Sequence, residues 1–383
     1  MVAGQSKRVM IVAGEASGDI YGAGLIAAVH ARDPAIHFFG VGGKRMREAG
    51  AETLTDSADM AVVGLVEVIR HFDVIAPTFL RLKKLLLNDP PALLVLIDYP
   101  GFNLRLAKVA KQAGVKVLYY ISPQIWAWRQ GRIKKIKQLV DHMAVTLPFE
   151  APLYERAGVP VTYVGHPMAD LVTVTLSHDA AATSFHLDPA QPVVGLFPGS
   201  RRSEVSRLMP ALVGAAALLK QRFPAIQFVL PLASTLRDED ITPYLADRDL
   251  PVTIVRERIH DLIRACDAVV SVSGTVTLEV ALVGTPQVII YKLSPITFQL
   301  AKRLVKVEHI GLCNIVAGET IARELIQDDA SPEQIAAEIG LLLTDSDHVA
   351  ALKLKMSGIS GRLGAGGTAG QVAALVLEMV GPS

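Results

Sequence analysis

The sequence predicts an α/β protein made of two doubly wound parallel sheets in succession, and three observations predict it. Residues 267–292, DAVVSVSGTVTLEVALVGTPQVIIYK, hold a complete strand–turn–helix–strand unit. A strand that runs into a glycine loop and then a helix recurs after residues 8–13 and again after residues 193–197. The chain of 383 residues also exceeds what one ordinary core organises, and a Gly-His-Pro joint around His166 divides it into two such halves.

The 267–292 unit is the most legible. Residues 268–272 form a short apolar, β-branched run, the pattern of a strand buried on both faces. Ser273, Gly274 and Thr275 offer a turn and an N-cap, residues 275–283 a helix, Gly284-Thr285-Pro286 its stop, and residues 287–291 a second strand. A helix opened this way points backbone N–H groups and the positive end of its dipole outward, which suits an anion, most naturally a phosphate. Glu279 is the one charge inside this apolar stretch and follows Thr275 by four residues, on the same helical face. There it is within reach of a ribose hydroxyl, and equally placed to be a charge on a solvated stripe.

Bulk properties exclude several classes. A net charge of +1 leaves no global field for nucleic acid, so any basic surface must be local. The two cysteines, Cys266 and Cys313, form no CxxC pair and point to a reducing compartment. Lys7-Arg8 before VMIVAG mimics the start of a leader, but the apolar run is too short. Glu279, two glycines and a proline interrupt residues 268–291, so no transmembrane segment is expected.

In chain order, residues 8–13 are the first strand, Gly14 to Asp19 a loop at its carboxyl end, and residues 21–31 an alanine-rich helix. The loop lacks GxGxxG spacing, so no dinucleotide fingerprint is supported. Residues 37–41 are a second strand. Residues 61–87 have helical period, with Pro77 as the expected break, and carry more apolar positions than one buried stripe needs, among them Val66, Val68, Ile69 and Phe72. They form either an ordinary core helix or a surface exposed for a purpose. Residues 93–97 are a buried strand that delivers Asp98 at its carboxyl end, where a carboxylate is either a helix cap or a base at the binding edge of the sheet. After a strand at 115–119, residues 121–140 hold both tryptophans, Trp126 and Trp128. They also hold Arg129, Arg132, Lys134, Lys135 and Lys137 with no acid between: a solvated face, or a site for an anionic head group.

The second half restarts with a strand at 193–197, the loop Pro198-Gly199-Ser200-Arg201-Arg202 and a helix at 203–221. Arginine beside a glycine turn is a recurrent phosphate reader, because the guanidinium is always charged and donates in a fork. Residues 295–305 read as helical, Gly311 to Asn314 as a loop, residues 331–343 as a capped helix, and residues 358–370 as a hinge into a last helix. Three acidic triplets, at 238–240, 247–249 and 345–347, follow no buried strand in a binding position; they read as surface, and no metal site is expected.

Two doubly wound halves with ligand loops on each describe a glycosyltransferase-B architecture, two Rossmann-like domains facing across a cleft. Eight stretches in order, VAGEASGD, AVVGLVEV, LIDYPGFN, YYISPQIWAW, YVGHP, LFPGSRRSE, SGTVTLEVALVGTP and GLCNIVAG, closely resemble the bacterial lipid-A-disaccharide synthase family over nearly the whole chain. The resemblance implies an inverting transfer of 2,3-diacylglucosamine from UDP-2,3-diacylglucosamine to 2,3-diacylglucosamine 1-phosphate (lipid X), with no cofactor and no metal. It implies a peripheral enzyme on the cytoplasmic face of the inner membrane, and the excess of apolar positions then makes Val66, Val68, Ile69 and Phe72 the expected surface for docking on anionic lipid. It puts Asp98 forward as general base with Arg201, sets Glu15, Ser17 and Asn103 near the acceptor, and places Arg201, Ser273, Gly274, Thr275, Glu279 and Asn314 at the nucleotide. The domains expected are residues 1–166 for the acceptor and membrane and residues 167–357 for the UDP-sugar, with a final helix at 371–383 packed back on the first. Two rivals share parts of this pattern: another UDP-sugar enzyme of the same fold, an epimerase or a lipid-linked peptidoglycan precursor transferase, and a non-enzymatic membrane-surface binding protein.

Overall fold

Apolar runs too uniform for a half-exposed strand become the centres of two parallel sheets. A computed structural model describes residues 7–60, 72–127, 131–233, 235–246, 249–294, 297–299, 302 and 308–381. The chain divides into one unit of residues 1–167 with 364–383 and a second of residues 168–363. The first contains β1 (Arg8–Ala13), β2 (His37–Gly42), β3 (Glu52–Asp56), β4 (Leu93–Ile97), β5 (Lys116–Tyr120), β6 (His142–Val145) and β7 (Val161–Tyr163), ordered β3-β2-β1-β4-β5-β6-β7. The second contains β8 (Val193–Phe197), β9 (Gln227–Pro231), β10 (Val252–Val255), β11 (Ala268–Val272), β12 (Gln287–Tyr291) and β13 (Arg323–Ile326), ordered β10-β9-β8-β11-β12-β13.

All pairings in both sheets are parallel; in the first, Val9 stands opposite Leu93, and in the second, Ala268 opposite Val194. Strands β4, β8 and β11 are buried along their whole length, because helices cover both faces of a doubly wound sheet. Strand order reverses between β1 and β4 in the first sheet and between β8 and β11 in the second. Those are the switch points where open α/β sheets leave a crevice for ligands. The loops after these four strands carry Glu15, Asp98, Arg201 and Ser273.

Several expectations need correction. The first helix is Ala16–His30, not 21–31, so Ser17 lies in its first turn. Asp19, read as part of the loop, is buried and accepts from the N–H groups of Gly43, Arg45 and Met46 at 2.6, 3.0 and 3.1 Å, capping the next helix. Pro77 does not break its helix, which runs Phe72–Asn88 through it. Residues 312–314, read as a loop, belong to the helix Leu312–Ala317. The edge strands β3 and β13 were not expected at all; ETLTD and RELI are too polar to read as buried runs. Residues 61–71, with Val66, Val68 and Ile69, lie outside the described residues, as do Trp128, Arg129 and most of the helix expected at 295–305. The acidic triplets are engaged as surface groups: Asp238 with Arg256, Asp240 with Arg202, Asp249 with Lys220, and Asp345 on the N–H of His348. Among the described residues no helix is long and apolar enough to cross a membrane.

Candidate functional site

In the first unit the loops after β1 and β4 touch. A side chain at Gly14 would put its Cβ 2.6 Å from the ring of Tyr99, so glycine is what lets the ring lie over the loop. Asp98 and Tyr99 both have left-handed backbone, φ 45° and 47°. Two consecutive non-glycine residues there cost about 1–3 kcal/mol each, so neighbouring groups must hold the turn. They do. Asp98 N–H donates to Tyr120 O at 3.2 Å, and Asp98 O accepts from the Tyr119 hydroxyl at 2.6 Å and from Asn103 Nδ2 at 2.7 Å.

The cap position of the following helix, Pro100–Gln112, is Tyr99 and not Asp98, and it makes no side-chain cap bond. The half-buried Asp98 carboxylate is therefore not the N-cap of that helix. Asn103 is fully buried, its amide donating to the carbonyls of Ile97 and Asp98, so it holds the turn from beneath. Glu15 precedes the helix Ala16–His30 in extended conformation and Ser17 is half-buried. Burial, and then the Glu15 charge, push the Tyr99 phenol up to about 12, and its hydroxyl donates to Met60 O at 2.9 Å. Neither Tyr99 nor Tyr119 was singled out from the sequence. In LIDYPGFN and KVLYY they read as ordinary aromatics, and only their partners give them a role.

The loop after β5 is anchored by a group the sequence also concealed. Glu150 is buried and accepts from Trp126 Nε1 at 3.2 Å and from Leu147 N–H at 3.1 Å. Burial outweighs these bonds and lifts its carboxyl to about 7. Trp126 stands edge-on to Phe149, ring centroids 5.2 Å apart. Lys134, Lys135 and Lys137 are exposed nearby in sequence, and Arg132 is half-buried. His166 is buried, which lowers its imidazole to about 4, as expected of a structural joint rather than a base at neutral pH.

In the second unit Gly199 has φ 109°, and a Cβ there would run into Glu204. The Glu204 carboxylate accepts from the N–H groups of Ser200 and Arg201 at 3.0 and 3.2 Å and pairs with the Arg201 guanidinium at 2.6 Å. Arg201 thus sits at the mouth of the 21-residue helix Arg202–Arg222, oriented by an acid one turn in. The helix after β11 is Val276–Val283, closed by Gly284 in left-handed conformation. Ser273 donates to Ile310 O at 2.8 Å, Gly274 is exposed with nothing within 4 Å of where a Cβ would stand, and Thr275 occupies the cap position without a side-chain cap bond.

Glu279 is not on a freely solvated stripe: its side chain is 21% exposed and lies 3.4 Å from His260 Nε2. His260 Nδ1 accepts from Thr173 N–H at 3.3 Å, which leaves Nε2 as the donor toward Glu279. Asn314 is placed differently from a ligand-facing residue. It is fully buried; its amide donates to Ala322 O and Glu324 and accepts from Ile321 and Ala322 N–H, all at 2.8–3.0 Å. Glu324 in turn accepts from Ile310 and Gly311 N–H at 2.9 Å, so Asn314 holds the loop that Ser273 leans on. The structure brings Ser273, Gly274, Thr275 and Glu279 onto one helix start. Phe72 opens the helix Phe72–Asn88 in the first unit.

The lipid-A-disaccharide synthetase family model matches residues 9–363. The lipid-A-disaccharide synthase of Trichlorobacter lovleyi is 73% identical over 380 residues, 99% of both chains, and that of Geobacter sulfurreducens 57% identical over 381 residues, 100% of this chain and 99% of the other. Among solved structures, a UDP-GlcNAc 2-epimerase from Neisseria meningitidis bound to UDP-GlcNAc superimposes with a TM-score of 0.66 at 13% identity, over 97% of this chain and 100% of that one. A kitacinnamycin glycosyltransferase gives 0.61 at 16% identity, over 98% and 99%. At such low identity these two speak only for the fold, which is the glycosyltransferase-B pair of Rossmann-like domains. With a family model spanning almost the whole chain and full-length relatives at this identity, the chain belongs to the lipid-A-disaccharide synthase family.

Proposed function

We propose that the protein is an inverting glycosyltransferase that moves 2,3-diacylglucosamine from UDP-2,3-diacylglucosamine onto 2,3-diacylglucosamine 1-phosphate, releasing UDP. The acceptor hydroxyl loses its proton to Asp98 as its oxygen attacks the anomeric carbon, and the bond to the UDP oxygen breaks on the opposite face. Negative charge grows on the leaving diphosphate, where Arg201 and the helix start at Ser273–Thr275 would stabilise it. Glu279 would take a ribose hydroxyl. The observation that carries this reading is the pair of switch points: a half-buried carboxylate on a held turn at one, and an arginine beside a phosphate-ready helix start at the other.

A membrane surface is the second part of the proposal. On the described part of the helix Phe72–Asn88, Leu80 is 63% and Leu87 47% exposed, with Lys83 and Lys84 exposed between them. Such a stripe would continue the apolar surface expected from Val66, Val68, Ile69 and Phe72 onto the anionic cytoplasmic face of the inner membrane.

The test is release of UDP from acylated donor with and without acceptor. Strict dependence on acceptor is expected; conversion of UDP-GlcNAc without acceptor would favour the epimerase, and no turnover at all the binding protein. Asp98→Asn keeps size and should lower turnover by roughly 10²–10⁴-fold with UDP affinity intact. Near-normal turnover in that folded variant sinks the assignment.

A further inference from the structure

Tyr119 is a phenol where the sheet asks only for a hydrocarbon. It stands on β5, between Leu118 and Tyr120, fully buried in the core of the first unit. A hydroxyl in such a place must be spent on a partner, and it is spent on the carbonyl of Asp98 at 2.6 Å. Asn103, from the helix Pro100–Gln112, donates to the same oxygen at 2.7 Å. Two buried donors from two different elements thus converge on one carbonyl, and that carbonyl belongs to the first of two successive left-handed residues. A left-handed turn of non-glycine residues relaxes toward negative φ unless something holds it. Relaxation would rotate the Asp98 Cα–Cβ bond and swing its carboxylate.

We infer that the Tyr119 hydroxyl, with the Asn103 amide, is a clamp that aims the Asp98 carboxylate, making Tyr119 a positioning residue for proton removal from the acceptor. The inference rests on the reading of Asp98 as the base. Burial, and next the negative charge of Asp98, hold the phenol protonated, so it is a standing donor at working pH. Tyr119 touches neither substrate in this account; it acts through the Asp98 backbone.

Tyr119→Phe removes one oxygen and nothing else. With detergent-dispersed donor and acceptor, kcat should fall about 10–100-fold while both KM values stay within about twofold, because a misaimed base costs the chemical step and not binding. In the Asp98→Asn background the same change should cost nothing further, since the clamp has no base left to aim. A Tyr119→Phe enzyme within about threefold of wild type, or one whose loss is fully retained on Asp98→Asn, overturns the clamp. If Asp98→Asn alone keeps wild-type turnover, the base reading fails; if Asp98→Asn is dead and Tyr119→Phe is normal, only the clamp fails. Should Tyr119→Phe not fold, Asn103→Ser withdraws the other donor and must show the same split between kcat and KM.

Discussion

Glu279 and Arg201 each already have a partner within the protein, and that sets what their removal should cost. Glu279 lies against His260, so Glu279→Ala should weaken UDP binding by about 1.5–3 kcal/mol, the value of charge-assisted hydrogen bonds. Calorimetry with UDP checks it; unchanged affinity would leave Glu279 as no more than the partner of His260. Arg201 is held by Glu204, and Arg201→Ala should lower turnover more than UDP affinity if its contact strengthens as the diphosphate departs. Glu150 makes a separate prediction about pH. Its carboxyl sits at about 7 instead of 4.5, so between these values the unfolded chain gives up a proton that the folded chain keeps. Stability must therefore fall as pH rises through that window and level off above it. Thermal melts of wild type and Glu150→Gln should diverge from pH 4.5 to 7, with the wild type losing ground; parallel curves would show that Glu150 ionises freely. The partners of Glu279 and Asp98 were not legible. His260 precedes Glu279 by nineteen positions and Tyr119 follows Asp98 by twenty-one, and a sequence shows spacing along the chain, not across a sheet.

At the level of the element, the strands that organise each sheet were legible because burial on both faces leaves few polar positions in them. LLVLI and the apolar part of QVIIY read directly as buried strands. The edge strands β3 and β13 escaped because an edge strand need not be apolar, and ETLTD and RELI carry polar and charged residues at their exposed and half-exposed positions. The first helix was begun too late because Ser17, Gly18 and Asp19 look like loop residues. Asp19 is in the helix because its carboxylate caps a different one. Two glycine loops that look alike in sequence should respond oppositely to a methyl group. Gly14→Ala drives into the Tyr99 ring and should destabilise the first unit by about 1–3 kcal/mol. Gly274→Ala meets no protein atom, and should leave the melting temperature alone while weakening UDP binding if a phosphate approaches that backbone. Equal melting temperatures for Gly14→Ala and wild type, or undiminished UDP binding by Gly274→Ala, would contradict the respective reading.

For the whole molecule, vesicle binding should have two parts. An electrostatic part from exposed lysines fades with salt, and an apolar part does not. Val68→Ser with Ile69→Ser should remove the second without lowering the melting temperature, and should spare turnover on detergent-dispersed substrate more than turnover on vesicles. Lost thermal stability with intact vesicle binding would make that stretch core. The last helix, Thr368–Val380, belongs to the first unit, where it packs on Ala16–His30, β4 and β5 and buries Val372, Ala373 and Val376. Lys7 and Lys116 reach its final carbonyls at Gly381 and Met379, 2.6 and 3.2 Å away. This packing also sets an order in time. The amino-terminal unit is synthesised first yet cannot be finished until residues 368–380 leave the ribosome, after the second unit has been made in full. Some 200 residues at about 5–20 per second amount to roughly 10–40 s during which the faces of Ala16–His30, β4 and β5 that receive the last helix wait uncovered. That interval, rather than the finished protein, is when a chaperone would be needed.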